Sequence, residues 1–162
     1  MASTVETYAL TRELTIDARP DTVWEFLVDP MKAALWMGGN VEFDARPGGL
    51  YKLDVNSGNR ARGEFVEIDP PNRLVYTWGW EPDGDAPSPH GMPPGSTRIE
   101  IDLTSVGDGT HIRFVHSGLP TEAAAGSHAQ GWDHYLGRLT VVAAGGDPGR
   151  DPWLDNPVVD RS

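Results

Sequence analysis

The chain contains no cysteine. This absence excludes disulfide bonds, catalytic thiolates and zinc sites built on cysteine. Basic side chains are also scarce, since 13 lysines and arginines stand against 24 acidic residues and give a formal net charge of −11. Such a surface repels phosphate backbones and anionic lipid, so we expect no nucleic acid as a partner.

Long hydrophobic runs are missing as well. No apolar stretch reaches the roughly 20 residues that a membrane-spanning helix needs. The first residues also lack the basic-then-apolar pattern of a signal peptide. We therefore expect no membrane insertion and a cytoplasmic location. What the chain does have is 162 residues, 38% of them hydrophobic, with six Trp, four Tyr and four Phe. That is enough for one domain with a real core, and enough aromatic surface to line a cavity.

Residues 120–145 carry the clearest helical period. Their apolar positions recur at spacings of three and four, which places them on one stripe of an α-helix. Thr121 is the expected N-cap, and Gly145 with Gly146 the expected end. A helix of this length needs a broad apolar surface to lie on. The stripe consists of Trp132, Tyr135, Leu136, Leu139, Val142 and Ala143.

The rest of the chain predicts that surface. Residues 5–16 alternate as a half-buried strand, and short helices are expected at 20–29 and 31–36. From residue 40 onwards, six strands follow one another through short turns, which indicates an antiparallel sheet. The predicted fold is α+β: a helix-grip arrangement of order β-α-α-β6-α, with a curved antiparallel sheet wrapped around the long C-terminal helix. A cavity between the two is expected wherever side chains do not fill the space.

Two segments look irregular. Residues 81–95 hold five prolines and three glycines, and predict a long loop between two central strands. Residues 146–162 form a tail rich in Pro and Asp, in which Trp153 and Leu154 could anchor on the body. We expect one domain over residues 1–145, followed by this tail.

Several motifs, in this order, carry a family resemblance. They are residues 12–36, the Gly48-Gly49 turn, GEFVEIDPPNRLVYTW, HIRFVHSGLP and Gly131-Trp132. Together they resemble the START/Bet v 1-like (SRPBCC) superfamily and, within it, the AHSA1-like branch named after the activator of Hsp90 ATPase. The resemblance spans about residues 7–144 and implies the helix-grip fold. Function stays open, because this superfamily includes ligand carriers, lipid-transfer proteins, cyclases, hydrolases and co-chaperones. An Hsp90-type chaperone is not the expected partner, because nothing here resembles the activator's separate Hsp90-binding domain.

Candidate ligand-binding residues follow from the face that each would present. Tyr76, Trp78 and Trp80 share one parity, and Phe114 and His116 share another on the last strand. His128 lies on the sheet-facing stripe of the long helix, and the resemblance places Trp36 near a cavity mouth. Core packing explains these aromatic positions about equally well. The predicted cavity residues are Trp36, Tyr76, Trp78, Trp80, Phe114, His116, His128, Trp132, Tyr135 and Leu139.

The sequence predicts no metal site and no cofactor. There is no HExxH motif, and three ligands would require His116, His128 and a chance carboxylate. A nucleophile elbow and a phosphate-binding loop are also missing. His134 is expected on the exposed side of the long helix. For His90 and His111, no pattern in the sequence predicts that the side chain points into the interior.

Three functions remain open at this point. The favoured one is binding of a small apolar or aromatic molecule between sheet and helix. The second is a cyclase- or hydrolase-like enzyme that uses the same pocket, with His116 or His128 as the proton shuttle; no other catalytic residue is nominated. The third is a stress- or chaperone-related interaction protein, which contacts its partner through the sheet or the 81–95 loop. A sheet edge or that loop could also support a homodimer.

Overall fold

The elements follow the predicted order. The computed structural model describes residues 7–56 and 58–154. Its strands and helices are β1 (Tyr8–Ile16), α1 (Pro20–Val28), α2 (Pro30–Ala33), β2 (Gly39–Phe43), β3 (Leu50–Asn56), β4 (Asn59–Asp69), β5 (Arg73–Trp78), β6 (Thr97–Val106), β7 (Gly109–Leu119) and α3 (Glu122–Ala143). Two single-turn 3₁₀ helices lie at Pro89–Gly91 and Pro152–Leu154.

The strands form one antiparallel sheet of seven, in the order β1-β7-β6-β5-β4-β3-β2. Strands β2 to β6 each pair with the next strand along the chain. Short turns join these pairs, except that the long 81–95 loop connects β5 to β6. Strand β1 completes the far edge beside β7. The long helix α3 packs against this sheet, with contacts to β1 and β7. The predicted α+β helix-grip fold is confirmed.

Helix α3 begins where its cap was expected. The Thr121 hydroxyl accepts a hydrogen bond from the Ala124 amide at 3.0 Å, which satisfies one of the free donors of the first turn. Gly145 follows the helix with φ = 94°, a conformation that favours glycine.

Helix α2 is shorter than predicted, because it ends at Ala33 rather than at Trp36. Residues 34–36 form a turn with three-residue hydrogen-bond spacing, such as Trp36 N to Ala33 O at 3.2 Å. The Trp36 indole donates to the Phe26 carbonyl at 2.8 Å, and its side chain is buried. Burying this large ring stabilises the turn more than the helix propensity of residues 34–36 would stabilise a longer helix.

Aromatic stacking fills the core at the β2 side of the sheet. The Tyr51 ring lies between Phe43 and Tyr76, with ring centroids 4.5 and 4.1 Å away. Phe65 closes the same cluster edge-on at 5.5 Å from Tyr51. Little room remains among these rings, whereas farther along β3, beside Val55 and Asn56, a cavity opens next to α3.

Both irregular segments are held against the body. The 81–95 loop is tied back by a hydrogen bond from the Trp80 amide to the Met92 carbonyl at 2.7 Å, and the Met92 side chain is fully buried. Of the tail, residues 146–154 are described and fold over α3. Trp153 stacks on His134 at 3.8 Å, while Asp151 accepts a hydrogen bond from His134 Nε2 at 2.7 Å.

The tail changes the position expected for His134. Its side chain is only 19% exposed, so the prediction of an exposed residue is wrong. The helical period correctly placed it away from the sheet, but the tail covers that side of the helix. Residues 1–6 of the predicted domain and 155–162 of the predicted tail lie outside the described residues, as does the side chain of Leu154.

Candidate functional site

A cavity of about 60 Å³ lies between the sheet and the first half of α3. The cavity is small, because benzene needs roughly 150 Å³ in a preformed apolar cavity. In its present shape it holds a few atoms, and a whole ring would require some of the wall to move.

The cavity has a buried floor and a more exposed mouth. The floor contains Met37, Val55, Trp78, Trp80 and Trp132, all of them buried. Strand β5, the residues just after it and α3 supply the three tryptophans, because all of these positions face the interior. The mouth residues are partly or fully exposed: His90 from the 81–95 loop, Ser127, Gln130 and Gly131 from α3, and Trp153 from the tail.

The predicted cavity residues divide into two groups. Those in the first group line the cavity, and those in the second are buried in the packed core without lining it. Strand parity, the helical period of α3 and, for Trp36, the family resemblance predicted these positions, but none of the three could tell which interior positions neighbours already fill. The first group is Trp78, Trp80, His128, Trp132 and Tyr135; the second is Trp36, Tyr76, Phe114, His116 and Leu139.

His128 is held by two hydrogen bonds that fix its protonation. The Trp80 indole Nε1–H donates to His128 Nε2 at 3.0 Å. Because an indole nitrogen can only donate, Nε2 must be the unprotonated nitrogen. The other ring nitrogen, Nδ1, then carries the proton and donates to the Ala124 carbonyl at 2.8 Å.

His116 is held in the same way with the opposite tautomer. The Trp132 indole donates to His116 Nδ1 at 3.0 Å. The Thr97 hydroxyl donates to the Trp78 carbonyl at 2.6 Å, so it accepts from His116 Nε2–H at 2.8 Å. Each buried imidazole is therefore neutral and has both nitrogens engaged.

Burial keeps these two rings uncharged. It lowers the pKa of His128 to about 4, against the weaker opposing effect of the Ala124 carbonyl. Burial also lowers the pKa of His116 well below its usual value, and the nearby His128 adds to this. A general base needs a free lone pair within reach of its substrate, and both lone pairs already accept from tryptophan. This geometry disfavours either histidine as a proton shuttle.

Three polar groups at the cavity have no partner. Among the described residues, Asn56 Nδ2, Trp78 Nε1 and His90 Nδ1 are buried without a hydrogen bond, and all three side chains line the cavity. The Tyr135 hydroxyl, also in the lining, lies 3.5 Å from the Val55 carbonyl and interacts with the side chains of Asp151 and Asn56. A buried donor left unpaired costs about 1–3 kcal/mol, so several together at one cavity call for an explanation.

His90 is one of several lining residues that the sequence did not predict; the others are Met37, Val55, Asn56, Ser127, Gln130, Gly131 and Trp153. His90 lies in the 3₁₀ turn at Pro89–Gly91, with φ = 59°, and its ring centroid is 5.0 Å from that of His128. Burial lowers the pKa of His90, which favours its neutral form. No periodicity exists in a loop rich in Pro and Gly, so nothing in the local sequence indicates which way this ring points.

The described residues contain neither a group of side chains that could hold a metal ion nor a membrane-spanning helix. Within residues 7–56 and 58–154, no three His, Asp or Glu side chains are grouped so that they could hold a metal ion. The rings of His90, His116 and His128 are adjacent, but the ring nitrogens of His116 and His128 already bond to Trp132, Thr97, Trp80 and the Ala124 carbonyl, which leaves only His90 available to a metal. None of the helices in the described part is long and apolar enough to cross a bilayer.

Comparison with known families gives a direct result. The family model described as "Activator of Hsp90 ATPase homolog 1-like protein" matches residues 17–144. The chain belongs to this family. The AHSA1-like resemblance of the sequence motifs is thereby confirmed, and the match covers both short helices, six of the strands in full and the whole of α3.

Solved structures agree with this assignment. A solution NMR structure of an AHSA1-like protein from Rhizobium etli is 44% identical, with a TM-score of 0.72, over 94% of this chain and 92% of that one. CalU16 from Micromonospora echinospora is 26% identical, with a TM-score of 0.66, over 85% of this chain and 76% of its own. The Aha1 dimer from Colwellia psychrerythraea, at 19% identity and a TM-score of 0.71, covers 86% of this chain and 98% of its own, and shows the shared fold alone. Among curated proteins, none matches this AHSA1-like chain.

Proposed function

We propose that this AHSA1-like protein binds a small apolar or aromatic molecule in the cavity between the sheet and α3. The observation that carries the proposal is the combination of an aromatic floor with unpaired polar groups at one opening. Trp78, Trp80 and Trp132 offer apolar surface, while Asn56 and Trp78 offer donors without partners. Ligand sites commonly combine an apolar lining with a few polar groups that fix orientation.

The size of the cavity requires that its mouth moves or that part of the ligand stays outside. Two mouth residues lie outside the sheet and the long helices: His90 in the 81–95 loop and Trp153 in the tail. Small displacements of these segments would enlarge the cavity and leave the buried floor intact. Gly131 has no side chain, and the space in front of it at the mouth is open.

A cavity-filling variant tests this proposal. In Gly131→Leu the new side chain enters open space, because a Cβ at this position meets no atom within 4 Å, and the residue lines the cavity. Gly137→Leu is the matched control: it lies on the same helix, is equally free of contacts, but is not in the lining. Both changes replace glycine by a better helix former, so both should fold.

The measurement is native mass spectrometry for co-purified small molecules, followed by titration with apolar ring compounds monitored by NMR of the indole N–H signals. We expect binding by the unmodified protein and by Gly137→Leu, and its loss in Gly131→Leu. Equal binding by both variants would contradict a site at this cavity.

The enzymatic alternative has less support, since both buried histidines have their lone pairs engaged by tryptophan. The interaction alternative keeps one specific argument, because a relative from Colwellia is described as a dimer. We propose a homodimer on that ground only, to be tested by light scattering coupled to size-exclusion chromatography. We also propose a cytoplasmic location and a domain of residues 1–145 followed by a C-terminal tail.

A further inference from the structure

The unpaired groups at the cavity narrow the chemistry of its ligand. We infer that the ligand carries an uncharged hydrogen-bond acceptor, such as the carbonyl oxygen of an aryl ketone, ester or amide, and that Trp78 and Asn56 recognise this oxygen. The inference rests on the proposed function and adds the class of ligand to it.

The two groups are both donors. An indole N–H has no acceptor capacity, and Trp78 is only 2% exposed. Asn56 is 3% exposed, and its carbonyl Oδ1 already accepts from the Asn59 amide at 2.5 Å, so its free side is the Nδ2 donor. Neither N–H group has a partner at hydrogen-bond geometry, although the Asn56 side chain interacts with the Tyr135 hydroxyl, which also lines the cavity. A ligand oxygen with two lone pairs would satisfy them, whereas a hydrocarbon would leave them unpaired.

Charge argues for a neutral acceptor rather than a carboxylate. No lysine or arginine is among the described residues that line the cavity. His90, the remaining titratable group with an unpaired nitrogen there, is kept neutral by burial, which lowers its pKa. The buried carboxylate of Asp151 lies close enough to raise the pKa of Tyr135, a lining residue, although burial contributes more to that shift. Arg138 also acts on Tyr135, but more weakly than Asp151, and it does not line the cavity. An anion placed here would therefore lose its hydration and face a carboxylate, with no cation in the wall to replace the lost water.

The remaining wall suits the apolar part of such a ligand. Met37, Trp80 and Trp132 contribute buried apolar surface, and the indole nitrogens of both tryptophans are already occupied by histidine. These rings therefore present carbon surface to the cavity. Donors and apolar wall together describe a compact carbonyl compound.

Three probes of nearly equal shape test the inference. Acetophenone has a carbonyl oxygen, α-methylstyrene replaces that oxygen by a methylene group, and benzoate replaces the acetyl group by an anionic carboxylate. Each is titrated into the ¹⁵N-labelled protein, and the indole N–H signals are followed by NMR. We expect acetophenone to bind about tenfold more tightly than α-methylstyrene, as one or two hydrogen bonds to neutral donors would give. Benzoate should bind most weakly.

Variants locate the effect. In Asn56→Leu, which removes the donor at similar volume, the preference for acetophenone over α-methylstyrene should shrink severalfold. If that variant fails to fold, the NMR spectrum of the unmodified protein still tests the inference. The Trp78 indole proton must then shift downfield with acetophenone and not with α-methylstyrene.

The outcomes separate the inference from the proposed function. Equal affinity for acetophenone and α-methylstyrene would overturn the inference and leave ligand binding intact. If benzoate bound most tightly of the three probes, the inference that the ligand is uncharged would be wrong. If no probe binds, the cavity does not admit a ring, and both the proposed function and the inference fail.

Discussion

Acidification should destabilise this protein through its two buried histidines. His116 and His128 are neutral in the folded state, and each accepts a hydrogen bond from a tryptophan N–H. A proton added to either acceptor nitrogen would face that N–H and break the bond. Because both pKa values are lower in the folded than in the unfolded chain, the unfolded chain binds more protons below its own histidine pKa. Stability is therefore fully present above pH 6.5 and falls as the pH decreases towards the folded pKa.

The magnitude follows from the pKa of His128, which is about 4 in the folded protein. One bound proton changes the free energy of unfolding by about 1.4 kcal/mol per pH unit. Between pH 6.5 and pH 5 the folded ring stays largely deprotonated, so His128 alone should lower the free energy of unfolding by about 2 kcal/mol. His116 shifts in the same direction and should add to this loss. The decrease of about 2 kcal/mol from His128 alone is already a substantial part of the roughly 5–15 kcal/mol of a typical domain.

Urea denaturation at pH 8, 7, 6 and 5 measures this loss. The informative variant is His128→Gln, whose amide oxygen can still accept from Trp80 but does not titrate. Its decrease in the free energy of unfolding between pH 8 and pH 5 should be about 2 kcal/mol smaller than that of the unmodified protein. His111→Gln is the control, because His111 is partly exposed and pairs with Glu13 at the surface. It should keep the full decrease. Identical pH profiles for His128→Gln and the unmodified protein would refute the reasoning.

Two further predictions concern helix α3. Thr121→Ala removes the hydroxyl that accepts a hydrogen bond from the Ala124 amide. In urea denaturation this should lower the free energy of unfolding by about 1 kcal/mol. An unchanged midpoint would show that the cap contributes nothing. Leu139→Ala should lower the free energy of unfolding by about 2–5 kcal/mol, because Leu139 is fully buried. Val141→Ala, at a position 43% exposed, should lower it by less than about 1 kcal/mol. Similar losses in both variants would contradict the burial of this helix face.

Much of the fold could be predicted because it depends on local patterns. The period of α3, the alternation in the strands and the turn residues between them suffice for element order, antiparallel pairing and the N-cap at Thr121. The end of α2 could not be predicted in this way. It depends on the bond from the Trp36 indole to the Phe26 carbonyl, which involves two different elements.

The candidate site was predictable only in part. Strand parity correctly predicted Trp78 in the interior, and the helical period did so for His128, but the volume left between sheet and helix depends on how all core side chains pack together. The stacking of Tyr51 on Tyr76, for example, fills space that parity alone leaves open. His90 and Trp153 reach the mouth through loop conformations that carry no periodic signal, so their positions follow from tertiary contacts alone.

The two tryptophan–histidine bonds also set the alignment of α3 on the sheet. In one bond the sheet side donates through Trp80 and the helix accepts through His128, and in the other the helix donates through Trp132 and β7 accepts through His116. Donor and acceptor are thus exchanged between the layers at two points one helical turn apart. A helix turned by one residue, about 100°, would lose both bonds and bury four unmatched groups. A wrong alignment therefore costs free energy at both bonds. In related chains, a change at one of these histidines should be accompanied by a change at the tryptophan that bonds to it.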